Sequence, residues 1–279
     1  MYVTSREIVR EAKRKGYAVP AFNAEDLEMI QAIIAAGEEM RSPIIIQTTP
    51  STLKYMRTFE AAAIVRAEAE RASIPVSLHL DHGDSYELCE QALKDGYSSI
   101  MIDGSKLSLD ENIELTKKVV RLAEAYGVPV EGELGTIGGK EDSLEGEIQY
   151  TRPDEAKRFE EETGVDMFAA AIGTKHGFYK GEPKLNFELL KEISDTVKIP
   201  LVLHGGSGIP DEMIVRAVRT GISKLNVATE LRFAATQKVR EVLADKTIID
   251  PKKFMGPARE AVKELCKEKI KLCDSKGRA

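Results

Sequence analysis

A closed α/β barrel of the (β/α)8 type is the fold class this sequence predicts, and three observations predict it. Short β-branched runs recur eight times, they start about 29 residues apart, and a helix-forming stretch follows each of them. A doubly wound open sheet usually stops at about five to seven strands, so eight favour closure. The 279 residues suit a barrel of roughly 250 residues, read as one domain over 1–279.

Taken in order, the first strand (19–22) follows Gly16 and ends at Asn23. The helix over 25–40 puts Leu27, Ile30, Ile33 and Ile34 on one face. Pro43 opens the second strand (43–47) and Pro75 the third (75–80). The fourth (98–102) follows Gly96 and stops before Asp103-Gly104. A helix over 109–126 aligns Ile113, Val119, Val120 and Leu122. Strand five (128–133) follows Gly127, and strand six (166–171) follows Gly164. Between them, 135–150 is rich in Gly, Glu and Asp, and reads as a long, functional βα loop. Strand seven (200–204) opens at Pro200, and Ile209-Pro210 announces a helix over 211–220. Strand eight (223–227) follows Gly221. One helix, 257–273, is left over and is expected to pack outside the barrel.

With 42% hydrophobic residues the chain can bury a full core, and a net charge of −6 gives no general attraction to nucleic acid or anionic lipid. No apolar run approaches roughly 18 residues, so no membrane span is expected. The N-terminal stretch MYVTSREIVREAKRKG is charged and does not read as a signal peptide. Cys89, Cys266 and Cys273 are too few and too scattered for a disulfide framework. A reducing, cytoplasmic setting is the expectation.

Chemistry on such barrels sits at the C-terminal ends of the strands. The residues there are Asn23, Gln47-Thr48-Thr49, His79-Leu80-Asp81-His82, Asp103, Glu133, His176, His204 and Asn226. The chain has four histidines, and all of them fall in this set. Three imidazoles from different strands facing one opening would make an open metal site, with a position left for substrate. Imidazole ligation favours Zn²⁺, with Co²⁺ as a substitute. Of His79 and His82, one reads as a ligand and the other as its orienter; the residues alone leave open which. The glycine-bearing turns 173–177 (GTKHG) and 204–208 (HGGSG), with NVAT at 226–229, offer backbone N–H groups to an anion.

These motifs resemble the class II, zinc-dependent ketose-bisphosphate aldolases over nearly the whole chain. The resemblance rests on PAFN (20–23), HLDHG (79–83), SSIMIDGS (98–105), VEGELGTIGGKED (130–142), GTKHGFYKGEPKL (173–185), PLVLHGGSGIP (200–210) and KLNVATE (224–230). It implies that His82, His176 and His204 bind the catalytic zinc, with Glu133, Asp103 and His79 beside the metal or at an alternative position. It implies Asp81 as the acid/base and Glu141, in the loop after strand five, as the group handling the carbon-bound proton. Asn23, Thr49 and Asn226 would hold substrate, while Gly177, Lys180, Gly205, Ser207 and Thr229 would hold its phosphate, beside which Na⁺ or K⁺ often sits. Arg259, in GPARE (256–260), would reach the far phosphate across a homodimer or homotetramer interface.

That resemblance implies cleavage of fructose 1,6-bisphosphate to dihydroxyacetone phosphate and glyceraldehyde 3-phosphate. GPARE looks like the fructose members, whereas KLNVATEL and GVDMFAAAIGTKHG look like the tagatose-1,6-bisphosphate members, and Ala228 replaces an Asp of the larger fructose enzymes. Tagatose bisphosphate is the alternative substrate, and a non-catalytic companion subunit a further one. A Schiff-base aldolase would need a buried lysine in a strand, whereas Lys175 and Lys180 fall in a loop. A metal-dependent hydrolase would want an HxH pair where Asn23 stands.

Overall fold

Inward and outward positions alternate along each strand of a barrel, and here that alternation builds two shells. The computed structural model describes residues 1–141, 144–146, 149–179 and 181–279, with the backbone only over 138–141 and 144–146. Among the described residues, eight parallel strands close in the order β1-β11-β10-β8-β5-β4-β3-β2. They are β1 (Val19–Asn23), β2 (Ile44–Thr48), β3 (Val76–Gly83), β4 (Ser99–Ile102), β5 (Val130–Leu134), β8 (Met167–Ala170), β10 (Leu201–Leu203) and β11 (Ile222–Val227).

The outward residues, such as Phe22, Ile44, Ile46, Leu78, Ile100, Phe168 and Leu203, join the helices in one large apolar core. The inward residues make a second, smaller interior. Its floor is apolar: Val19, Ala21 and Ile45 pack against Val9, Ala12 and Tyr17, and Met167, Ala169 and Val202 form a neighbouring patch. Toward the C-terminal mouth the same interior becomes polar, with His79, Asp81, Glu131, Glu133, Lys224 and Asn226 all buried. That gradient from apolar floor to polar mouth directs chemistry to one end of the barrel.

The helices are α1 (Ser5–Lys15), α2 (Leu27–Met40), α3 (Pro50–Tyr55), α4 (Thr58–Arg71), α5 (Tyr86–Asp95), α6 (Leu109–Glu124), α7 (Pro153–Thr163), α8 (Phe187–Thr196), α9 (Asp211–Thr220), α10 (Thr229–Val242) and α11 (Pro251–Leu272). The leftover helix is not alone: α1 precedes the first strand and carries the interior floor, and α3 is an added turn after β2. α2 starts two residues later than expected because the Asp26 side chain accepts from the Met29 N–H, which makes Asp26 the cap. α11 begins six residues earlier than expected. Asp250 caps it and Pro251 occupies its first turn, so Pro257 lies inside the helix rather than at its start. Its face of Ala258, Val262, Cys266 and Ile270 is buried, and it packs on α2 and α10. The three thiols are free and buried, as packing residues should be.

The loop expected over 135–150 also carries structure. β6 (Gly138–Glu141) pairs antiparallel with β7 (Leu144–Gly146) and parallel with β9 (Lys175–His176), giving a three-stranded sheet at the mouth of the barrel. Among the described residues no helix is long and apolar enough to cross a membrane.

Candidate metal centre and active site

His82, His176 and His204 converge, and their side-chain nitrogens lie within 4.8 Å of one another, all three rings buried. Each arrives by a different device. In a regular strand Asp81 and His82 would point to opposite sides. The β3–β4 register shifts between Leu80 and Gly83, and His82 adopts a left-handed backbone, φ 49°. That bulge turns its ring into the mouth, a costly conformation for a non-glycine residue. Gly83 makes room for it, since a Cβ there would meet the Met101 carbonyl oxygen at 2.3 Å. His204 stands directly after β10. His176 sits on β9, in the small sheet rather than in the barrel. Gly205, φ 66°, lets the turn after β10 close onto β9, where a Cβ would lie 2.4 Å from the Lys175 carbonyl oxygen.

The second nitrogen of two of the rings is engaged. His82 Nδ1 lies 2.8 Å from Asp103 Oδ2, and His204 Nε2 lies 2.7 Å from Glu131 Oε1. The remaining nitrogens, His82 Nε2 and His204 Nδ1, face each other at 3.0 Å. Two bonds of 2.0–2.1 Å in a tetrahedron would set nitrogens roughly 3.3 Å apart, so the pair fits a zinc-sized ion with little movement. Glu133 Oε2 is buried without a hydrogen-bond partner, 3.5 Å from His204 Nδ1. Asp103, Glu133 and His82 form a second group whose ligand atoms lie close enough to hold a cation. His79 does not join the three. Its Nδ1 lies 2.7 Å from the Ser99 hydroxyl, deeper in the barrel.

Electrostatics follow from crowding. Burial disfavours the His82 imidazolium, but Asp81, Asp103 and Glu133 outweigh it and hold its pKa well above the ordinary value. Burial and the neighbouring His82 push His176 and His204 well below it. Burial and the nearby Asp103 raise Glu133 well above the usual carboxylate range. Burial opposes the Asp103 carboxylate, yet its bond to His82 and those from Ser105 bring its pKa down. The buried carboxylates of Asp103 and Glu133 beside the three imidazoles are a donor set that suits a divalent cation.

Asp81 lies beside them under three amides. Gln47 Nε2 donates to Oδ2 at 3.0 Å, Asn23 Nδ2 to Oδ2 at 3.3 Å, and Asn226 Nδ2 to Oδ1 at 3.1 Å. A narrow cleft is lined by Asn23, His176, Gly177, Gly205, Gly206, Ser207, Asn226, Ala228 and Thr229. The expected phosphate residues Gly177, Gly205, Ser207 and Thr229 are therefore together. Two expected residues are not in that cleft. The Thr49 hydroxyl caps α3, accepting from the Thr52 N–H at 3.4 Å. Arg259 is exposed on α11, bonded to Gln31 at 2.8 Å. The side chain of Glu141, and Lys180, lie outside the described residues.

Three buried residues that sequence reasoning did not single out also belong here. Gln47, noted only as a strand end, bonds both Asp81 and Asn23. Glu131 and Lys224 form a fully buried pair below the histidines, 2.8 Å apart. Lys224 is a buried strand lysine, unlike the exposed Lys175, and it shares parity and hence a face with Asn226. Its ammonium is taken by Glu131.

The model of the family described as class-II fructose-bisphosphate aldolase matches residues 3–278. The chain belongs to that family. It is an aldehyde-lyase by membership. A fructose-bisphosphate aldolase of Geobacillus stearothermophilus is 45% identical, over 99% of this chain and 98% of that protein. A 6-phospho-5-dehydro-2-deoxy-D-gluconate aldolase of Bacillus licheniformis is also 45% identical, over 100% of this chain and 97% of that one. The crystal structure of the YdjI aldolase from Escherichia coli K12 superimposes with a TM-score of 0.91, at 40% identity and full coverage of both chains. A class II aldolase uses a metal rather than a Schiff base, which agrees with the three converging imidazoles.

Proposed function

We propose that this chain, acting as one domain over 1–279, cleaves fructose 1,6-bisphosphate reversibly to dihydroxyacetone phosphate and glyceraldehyde 3-phosphate, in the cytoplasm. The observation that carries the reading is the convergence of His82, His176 and His204 near Asp81, with His176 and the Asp81-bonded Asn226 lining one cleft. The three imidazoles would hold Zn²⁺, or Co²⁺ in its place, with Glu133 and Asp103 available as further oxygen ligands. A divalent ion so held supplies Lewis acidity at the C2 carbonyl oxygen, where negative charge develops as the C3–C4 bond breaks.

The chain's own residues do the rest. Asp81, oriented by Asn23, Gln47 and Asn226, accepts the C4 hydroxyl proton during cleavage and returns it to the aldehyde oxygen during condensation. The turns carrying Gly177, Gly205, Ser207 and Thr229 bind a phosphate through backbone N–H groups and hydroxyls, with Lys180 and a Na⁺ or K⁺ ion beside it. Glu141 delivers the proton to C3 of the dihydroxyacetone-phosphate half. Arg259 would reach the second phosphate only in a neighbouring subunit of a homodimer or homotetramer, because in its own subunit it lies on the outer helical layer.

The name of the Geobacillus relative favours fructose bisphosphate over tagatose bisphosphate. The Bacillus licheniformis relative, equally similar, supports a second reading: 6-phospho-5-dehydro-2-deoxy-D-gluconate as substrate. Coupled cleavage assays with the three phosphorylated substrates side by side, with and without chelator, separate them. The proposal expects chelator-sensitive turnover with kcat/KM highest for fructose bisphosphate; turnover unaffected by removing the metal would overturn it.

A further inference from the structure

Below the metal-facing nitrogens lies a buried charged pair that the reaction does not use. Glu131 on β5 and Lys224 on β11 are wholly inaccessible to solvent, as is His79, and His204 beside them is buried. Both oxygens of Glu131 are committed. Oε1 lies 2.7 Å from His204 Nε2 and Oε2 2.8 Å from Lys224 Nζ, with His79 Nε2 at 3.5 Å from Oε2. A carboxylate can only accept, so the His204 Nε2 must carry the proton, and its Nδ1 lone pair is left facing the mouth, toward His82. The ammonium of Lys224 supplies the countercharge that a wholly buried carboxylate requires.

We propose that Glu131, anchored by Lys224, is the positioning residue that fixes the tautomer and ring orientation of His204 for metal binding. This rests on the reading of the histidine triad as a metal site. Glu131 differs from Glu133, two residues on and on the same face. Glu133 has an oxygen without a partner beside the triad, whereas both oxygens of Glu131 are bonded and it acts through the ring. His82 has the equivalent support from Asp103, but that carboxylate is also bonded to Ser105 in the following turn. The support of His204 comes instead from β5 and β11, two strands that are not neighbours in the barrel and meet across its interior. Loss of a partner of this kind typically weakens metal affinity about 10–100-fold.

The test measures zinc and cobalt dissociation constants by competition with a fluorescent chelator, without substrate. It compares wild type, Glu131→Gln, Glu131→Gln/Lys224→Met and His204→Ala. The single Glu131→Gln variant leaves Lys224 unpaired in the core, so the double variant, which removes both charges, carries the test if the single one fails to fold. The expectation is a dissociation constant about 10–100-fold higher in the double variant, with the melting temperature of its metal-free form near that of wild type and an altered visible spectrum of the cobalt complex. A folded double variant that binds both ions within twofold of wild type, with an unchanged cobalt spectrum, overturns the role of Glu131 and leaves the metal site standing. A wild-type protein that binds neither ion overturns both.

Discussion

Two of the three metal-facing histidines and the third are held by different parts of the molecule. His82 and His204 stand on barrel strands or directly after them, each ring braced by a carboxylate. His176 rides on β9, whose strand partner is β6 of the small sheet, not the barrel. The barrel half is built into the fold. The other half is correct only while the small sheet is docked. Docking contacts among the described residues include the Gly205 turn against Lys175, the Tyr179 hydroxyl between the Lys175 N–H (2.8 Å) and the Gly205 carbonyl (3.1 Å), and Phe178 stacked edge-on against Phe233 of α10. A site assembled from a rigid half and a docked half can be damaged in two distinguishable ways.

The largest effect comes from the rigid half. Asp81→Ala should lower kcat by at least ~10², the scale of general acid–base catalysis, with zinc content unchanged by elemental analysis. A variant turning over at near the wild-type rate would remove Asp81 from the reaction. Next is the junction of the halves. Gly205→Ala forces a side chain into a left-handed backbone, φ 66°, and against the Lys175 carbonyl. A strained backbone of this kind costs about 1–3 kcal/mol, and relief is easiest by undocking β9. Zinc affinity and activity should fall together, by about 10-fold or more, while thermal unfolding of the barrel shifts only a few degrees. Unchanged zinc affinity would mean that His176 does not depend on this junction.

The two halves were also unequally legible in the sequence. Barrel strands announce themselves as short β-branched runs closed by Gly or Pro, and all eight were found to within a few residues. The mouth residues followed, because strand ends are where such barrels keep polar groups. The bulge at His82 was not legible, since a left-handed residue other than glycine leaves no compositional mark. β6 and β7 are not legible because GGKE and LEG have no apolar alternation. α1 escaped because charged residues surround its narrow buried face of Ser5, Val9 and Ala12. Glu131 and Lys224 were readable in principle. VEGE and KLN each put two polar residues on one side of a strand, and attention to strand ends alone passed over the deeper member of each pair.

A smaller effect isolates the docking bond itself. Tyr179→Phe removes one hydroxyl that joins the two halves and little else. Two hydrogen bonds of about 0.5–1.5 kcal/mol each are lost, offset by whatever water recovers at the partly exposed site. Zinc affinity should drop by about 3- to 10-fold, and the melting temperature of the metal-free protein should hardly change. A drop as large as that of Gly205→Ala would place most of the docking energy in this hydroxyl; no drop would leave it to the turn and the Phe178–Phe233 contact.

The smallest expected effect is a control that keeps the comparison honest about the barrel. Burial pushes the thiols of Cys89 and Cys273 up to about 12. At pH 8 both are protonated as well as inaccessible, and only the thiolate attacks a disulfide reagent. Native wild-type protein should therefore show almost no reaction with an aromatic disulfide over minutes, and full reaction after denaturation. Cys89 lies on α5 and Cys273 just past α11, both far in sequence from β9. If Gly205→Ala and Tyr179→Phe act only by undocking the small sheet, their thiols stay as slow as those of wild type while zinc is lost. Fast thiol reaction in either variant would show the damage spreading into the helical layer, and the two halves would then have to be treated as a single cooperative unit.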